Sequence, residues 1–199
     1  AFLIALTLLT PGSKLVIHNV LCNDTRIYFL KILKNVNANI KINNLRKISG
    51  ELVGSITVSS SKLRPIIISK YIGKFIDELP ILFVIAALTK GISKFENVGD
   101  LKNKESNRLL ECKKILIQAG IRCKITEDSM VIYGKDKIEN HNKSILIKTK
   151  GDHRICMSSA IFSLVTGIRA KIKNFETVNT SFPGFIPLIK NLGGNIVIK

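Results

Sequence analysis

Tryptophan is missing from this sequence, aromatic residues make up only 6%, and 14 acids face 31 lysines and arginines. The scarcity of aromatics among the basic residues argues against a nucleic-acid groove, which interleaves stacking rings with cations. The formal charge of +17 suits an anionic partner, either nucleic acid or a phosphorylated small molecule. Lysine, asparagine and isoleucine are abundant together, however, as AT-rich coding sequence makes them, and the lysines are dispersed. The charge is therefore read as mainly compositional, with an anionic small-molecule substrate as a contributor and no specific nucleic-acid partner. Long apolar runs are also lacking. The longest, Ala1–Leu9 and Ile81–Leu88, fall far short of the roughly 20 residues that a spanning helix needs, so no membrane partner is expected. Ala1–Leu9 has neither a basic leader nor a small-residue cleavage pattern and does not read as a signal peptide. The cysteines Cys22, Cys112, Cys123 and Cys156 show no CxxC spacing and no grouping with histidine. No metal site is predicted from them. Cys112 and Cys156 fit reduced core positions, which points to a cytoplasmic protein.

What the sequence does have is one pattern run three times. Landmarks recur about every 77 residues, which fixes architecture before any motif is read. The turn glycines are Gly12, Gly91 and Gly167, and the strand-end asparagines are Asn19, Asn97 and Asn174. The second helices end at Asn37, Gly120 and Gly193, where a left-handed residue is expected and Asn can stand in for Gly. Each copy reads as helix, glycine turn, strand, loop, helix, turn, strand. The first helices are apolar on nearly every face, as buried helices are. Strands are predicted at Leu15–Ile17, Ser93–Phe95 and Ala170–Ile172, with further short strands at Ile56–Val58, Ile66–Ser69, Met130–Tyr133 and Ile145–Ile147. Glu139–Lys143 reads as a polar loop. The prediction is a single α/β domain over residues 1–199, with approximate threefold internal symmetry, helices buried in the middle and sheets outside.

The first copy is short at its front. Asp77 lies 14 residues before Gly91 and Asp152 lies 15 before Gly167, both placed to cap a helix. The matching cap for Gly12 would precede Ala1, which opens directly in an apolar run. The chain is therefore expected to be the tail of a longer protein or a truncated gene product.

Charges break the repeat in copies two and three. Asp152-His153-Arg154 opens an otherwise apolar helix, and burying such a pair without partners is costly. Lys104-Glu105-Ser106-Asn107-Arg108 opens the amphipathic helix of copy two. There Glu105, Arg108, Leu109 and Cys112 share one face, so the core stripe continues into a carboxylate and a guanidinium. Taken singly, Asp77 reads as a cap and Glu105–Arg108 as a surface ion pair. Taken together, the three openings can converge on one face with helix N-termini, two arginines and a lysine for anions, and carboxylates and a histidine for proton transfer.

The strings IDELPILFVIAAL, NVGDLKNKESNRLLE, GDHRICMSSAI and NTSFPGF, in this order, resemble the C-terminal domain of the EPSP synthase (3-phosphoshikimate 1-carboxyvinyltransferase) family. The resemblance covers essentially the whole chain, and the DELP, KES and GDHR strings together disfavour the related UDP-N-acetylglucosamine enolpyruvyl transferases. It implies the inside-out α/β domain of enolpyruvyl transferases. It also implies transfer of the enolpyruvyl group from phosphoenolpyruvate to the 5-hydroxyl of shikimate 3-phosphate, with no cofactor. Carried onto this sequence, it makes Asp77 a shikimate contact and proton acceptor, Lys104 a second shikimate contact, and Glu105 the acid handling the methylene proton. Arg108 and Arg154 would hold phosphoenolpyruvate, with His153 in support. The family's N-terminal domain is not represented, so a separately encoded N-terminal domain is a candidate partner, and a non-catalytic remnant or subunit is the alternative reading. Three departures stand out: Asn107 where aspartate or threonine is usual, Thr180 where some members have lysine, and Arg64-Pro65 in place of Lys-Gly.

Overall fold

The computed structural model describes residues 1–139 and 144–197. Three helices form the middle: α1 (Phe2–Leu9), α3 (Leu79–Ala87) and α5 (His153–Thr166). They pack pairwise on one another. Every residue of α3 is buried, as its unbroken apolar run demands. Three sheets surround them. The first joins β1 (Lys14–Leu21), β2 (Asn39–Ile48) and β3 (Glu51–Ser59) in the antiparallel order β1-β3-β2. In the second, β4 (Ile67–Ile68) runs parallel to β5 (Gly91–Glu96), and β7 (Ser129–Gly134) joins β5 to β6 (Cys123–Ile125), both antiparallel. The third is the parallel pair β8 (Ser144–Lys148) and β9 (Arg169–Lys173). Helices α2 (Asp24–Asn35), α4 (Arg108–Gln118) and α6 (Phe185–Asn191) are the second helices of the three copies. The seven strand segments named by residue above lie within or overlap these strands.

The nine punctuation residues all have positive φ. Asn19, Asn97 and Asn174 take 54°, 59° and 56°, and Asn37, Gly120 and Gly193 take 74°, 80° and 88°. Gly12 and Gly167 are left-handed at 75° and 70°, whereas Gly91 sits at 125°, already the first residue of its strand. The three glycine turns are thus topologically equivalent but not identical in backbone. A Cβ at Gly91 would stand 2.6 Å from Cγ of Pro65, so the Arg64-Pro65 departure packs against a glycine that leaves it room.

Two expectations are corrected. Asp77 does not cap α3. It lies in a short 3-10 turn, Ile76–Glu78, and no side chain caps the helix that follows. Pro80 offers no N–H for such a cap, and cations take the Asp77 carboxylate instead. The third copy was also expected to end in a strand, but residues 195–197 form none. In the first two sheets the equivalent strands β2 and β6 pair only with β3 and β7. The third sheet has no such antiparallel strand among the described residues. Of the predicted polar loop, residues 140–143 lie outside the described residues, as do 198 and 199 at the end of the predicted strand.

Candidate active site at three helix openings

Repeat symmetry brings the openings of α3, α4 and α5 together. At α5, Asp152 acts as the predicted cap: its Oδ1 accepts from the backbone N–H groups of Arg154 and Ile155 at 3.0 and 3.4 Å. At α4, Asn107 takes the cap position and its Oδ1 accepts from the N–H of Leu110 at 3.0 Å. An Asn therefore serves as well here as the aspartate or threonine more usual in the family.

Arg108 is the hub. Its side chain is 0% exposed and meets three carboxylates. Nε donates to Asp152 Oδ2 at 2.8 Å, Nη1 to Asp77 Oδ1 at 3.0 Å and Nη2 to Glu105 Oε2 at 2.5 Å. Asp152 is likewise 0% exposed, whereas the side chains of Asp77 and Glu105 are 45% and 53% exposed. Ser106 Oγ donates a further bond to Asp152 Oδ2 at 3.0 Å. The i,i+3 pair read from sequence is real, but its arginine is buried and shared.

Asp77 gathers the remaining cations. Lys104 Nζ lies 3.4 Å from Oδ1, and Arg154 Nη2 lies 3.8 Å from Oδ2. Arg154 Nη1 donates to the Asp77 carbonyl at 2.8 Å and reaches Glu78 Oε1 at 3.5 Å. His153 is half-buried at the first position of α5, beside this group.

Burial pushes the Asp77 carboxyl up, but Arg154, Lys104 and Arg108 outweigh it and hold the group below the usual aspartate range. Asp152 shows the same balance, with Arg108, Ser106 and the Arg154 N–H opposing burial, and it too is held low. Glu78 goes the other way, because burial exceeds the pull of Arg154. Asp77 and Asp152 are therefore anions at neutral pH. The cluster places three cations around a carboxylate that water can reach. An entering anion could exchange with Asp77 or Glu105, and either carboxylate could then move a proton. Among the described residues no group of His, Cys, Asp and Glu could hold a metal ion, so Asp152 and its neighbours are organised around a guanidinium.

Sequence reasoning named Asp77, Lys104, Glu105, Arg108, His153 and Arg154. All but His153 are joined in one ion-pair cluster, and His153 stands between Asp152 and Arg154 at the start of α5. It took Asp152 for a cap only and missed its second task. The signal was present: Arg108 interrupts an apolar stripe, and a buried guanidinium requires a buried counter-charge.

A family model described as EPSP synthase (3-phosphoshikimate 1-carboxyvinyltransferase) matches residues 1–189. The chain belongs to the EPSP synthase family. A 3-phosphoshikimate 1-carboxyvinyltransferase of Clostridium tetani is 35% identical over 192 residues, which is 96% of this chain and 43% of the relative. One from Campylobacter jejuni subsp. doylei is 38% identical over 197 residues, 98% of this chain and 44% of the relative. The chain thus spans less than half the length of the curated relatives it matches. EPSP synthase from Acinetobacter baumannii superposes over all of this chain, and 46% of that one, with TM-score 0.92 and 32% identity. The enolpyruvyl transferase NikO from Streptomyces tendae matches with TM-score 0.69 at 14% identity over 98% of this chain and 42% of its own, which shows a shared fold alone. The central helices and outer sheets expected from the repeat, and the inside-out α/β domain implied by the resemblance, agree with these neighbours. No helix among the described residues is long and apolar enough to cross a membrane. All four cysteines are free and buried.

Proposed function

We propose that the convergent face is one wall of a site that transfers the enolpyruvyl group from phosphoenolpyruvate to the 5-hydroxyl of shikimate 3-phosphate. The observation that carries this is the meeting of Arg108, Lys104 and Arg154 on the carboxylate of Asp77. In this reading Arg108 and Arg154 hold phosphoenolpyruvate, displacing the carboxylates that now occupy them, because guanidinium forks match phosphate and carboxylate. Lys104 and Asp77 contact the shikimate ring, and Asp77, ionised and reachable, accepts the 5-hydroxyl proton. The 5-oxygen bonds to C2 of phosphoenolpyruvate while its methylene carbon takes a proton from Glu105, giving a tetrahedral intermediate. Glu105 takes a methyl proton back as the C2–O bond to phosphate breaks, and inorganic phosphate leaves. His153 supports this group from the first turn of α5.

The curated relatives are more than twice as long as the stretch matched here, so the opposite wall of the cleft is assigned to the rest of such a protein, in the same chain or separately encoded. The test is phosphate release from shikimate 3-phosphate and phosphoenolpyruvate. The 199 residues alone are expected to give none, since holding reactants in one geometry accounts for about 7–11 kcal/mol of barrier. Mixed with the N-terminal half of a relative, they are expected to turn over, and Glu105→Gln to abolish it. Turnover by the 199 residues alone would sink the one-wall reading, and full activity of Glu105→Gln in the mixture would remove Glu105 from its role.

A further inference from the structure

We propose that Asp152 is the positioning residue of the anion site: it holds one edge of Arg108 so that the other end faces the ligand. This rests on the reading above of Arg108 as an anion-holding group. The division of labour among the guanidinium N–H groups motivates it. Asp152 takes the inner edge, with Oδ2 on Nε at 2.8 Å and Oδ1 on Nη2 at 3.4 Å, both partners fully buried. The outer end, Nη1 and Nη2, meets Asp77 and Glu105, which water can reach and an anion can displace. A side-on carboxylate at the inner edge fixes the plane of the fork, and bidentate recognition depends on that plane. The same carboxylate caps α5 through the N–H of Arg154, and Ser106 Oγ fixes its Oδ2. One buried side chain therefore sets the position of Arg108 relative to the backbone that carries Arg154. A cap needs only an acceptor oxygen, which Asn supplies equally well. The charge and the second oxygen are surplus to capping and are used on Arg108.

The test is binding of inorganic phosphate to the 199-residue chain, followed by ³¹P NMR, in a double-mutant cycle. Asp152→Asn keeps the cap and the size but loses the side-on grip. It is expected to weaken phosphate binding at least about tenfold in the parent chain. In an Arg108→Lys background, where no Nε edge exists, the same change should matter less than about twofold. Ser106→Ala, which spares the ion pair, is expected to weaken binding a few-fold. An equal loss in both backgrounds would make Asp152 merely structural and overturn the proposal, as would unchanged binding in Asp152→Asn. Absence of phosphate binding by the parent chain would instead overturn the anion-site reading on which the proposal stands. Side-chain ¹⁵N spectra give a second reading: a protected Arg108 Nε–H resonance should be present in the parent and lost in Asp152→Asn. Its survival there would show that something else holds the inner edge.

Discussion

Helices α2 and α4 occupy equivalent places in successive copies, yet their openings have different fates. The asparagines before them differ too: Asn97 follows the end of β5, whereas Asn19, expected at a strand end, sits at a break in pairing within β1, which runs on to Leu21. At α2, Asp24 pairs with Lys31 in solvent and Arg26 is exposed with no carboxylate partner among the described residues. Asn23 stands at the cap position but turns its Oδ1 to the N–H of Leu52 and its Nδ2 to Glu51. At α4, Asn107 caps the helix, and Arg108 is fully buried among three carboxylates from three different segments. The same local chemistry, an asparagine, an acid and an arginine, gives a solvated end in one copy and a locked cluster in the other. Secondary structure does not make the difference. Charges at the openings of α3 and α5 do: Asp77 and Asp152 reach Arg108 from there.

The largest test of that contrast is to remove each arginine. Arg108→Met leaves a buried carboxylate facing two others without its cation and is expected to cost about 3–5 kcal/mol in urea unfolding. Arg26→Met is expected to stay within about 0.5 kcal/mol. Equal effects would show that the buried cluster carries no special energy. Next comes Asp152→Asn. At pH 7 it should cost about 3 kcal/mol, since it strips a buried arginine of its buried partner. The folded state holds Asp152 below its unfolded pKa of about 3.9, so this stability is present above that pH and is lost as pH falls through the lower folded value. The penalty of Asp152→Asn should therefore shrink between pH 5 and pH 2, and a penalty that grows there would contradict the assignment. Asp24→Asn, at an exposed pair with Lys31 that holds its carboxyl somewhat low, is expected to change stability far less at every pH. A smaller difference separates the asparagines. Asn107→Ala should lose about 1 kcal/mol as a helix cap. For Asn23→Ala the loss should come instead from the bonds to Leu52 and Glu51, since its side chain makes no cap. Smallest is Glu105→Gln, where a half-exposed partner is replaced by another acceptor and the change should stay under about 1 kcal/mol.

Much of the fold was legible because the repeat is written in residues with local consequences. Gly and Asn at nine equivalent places anticipate nine positive φ angles, and three apolar runs anticipate the three central helices. The site was legible in part. Charges that break a repeat mark where its openings are used, and Asp77, Glu105, Arg108 and Arg154 do meet. What stayed hidden is long-range. Asp152 lies 44 residues from Arg108, and the spacing of either motif says nothing of their contact. Asp77 looked like a cap because Asp before a helix usually is one, whereas here three cations compete for the carboxylate and win. That residues 195–197 form no strand has a similar cause, since strand formation depends on a partner that the local pattern does not name.

If the openings of α3, α4 and α5 form an anion site and that of α2 does not, titration of the ¹⁵N-labelled chain with phosphoenolpyruvate will separate them. Saturable shifts are expected at Asp77, Lys104, Arg108 and Arg154, with Asp24 and Arg26 unmoved. Shifts centred on Asp24 and Arg26, or no saturable shift at Arg108, would contradict the anion-site reading.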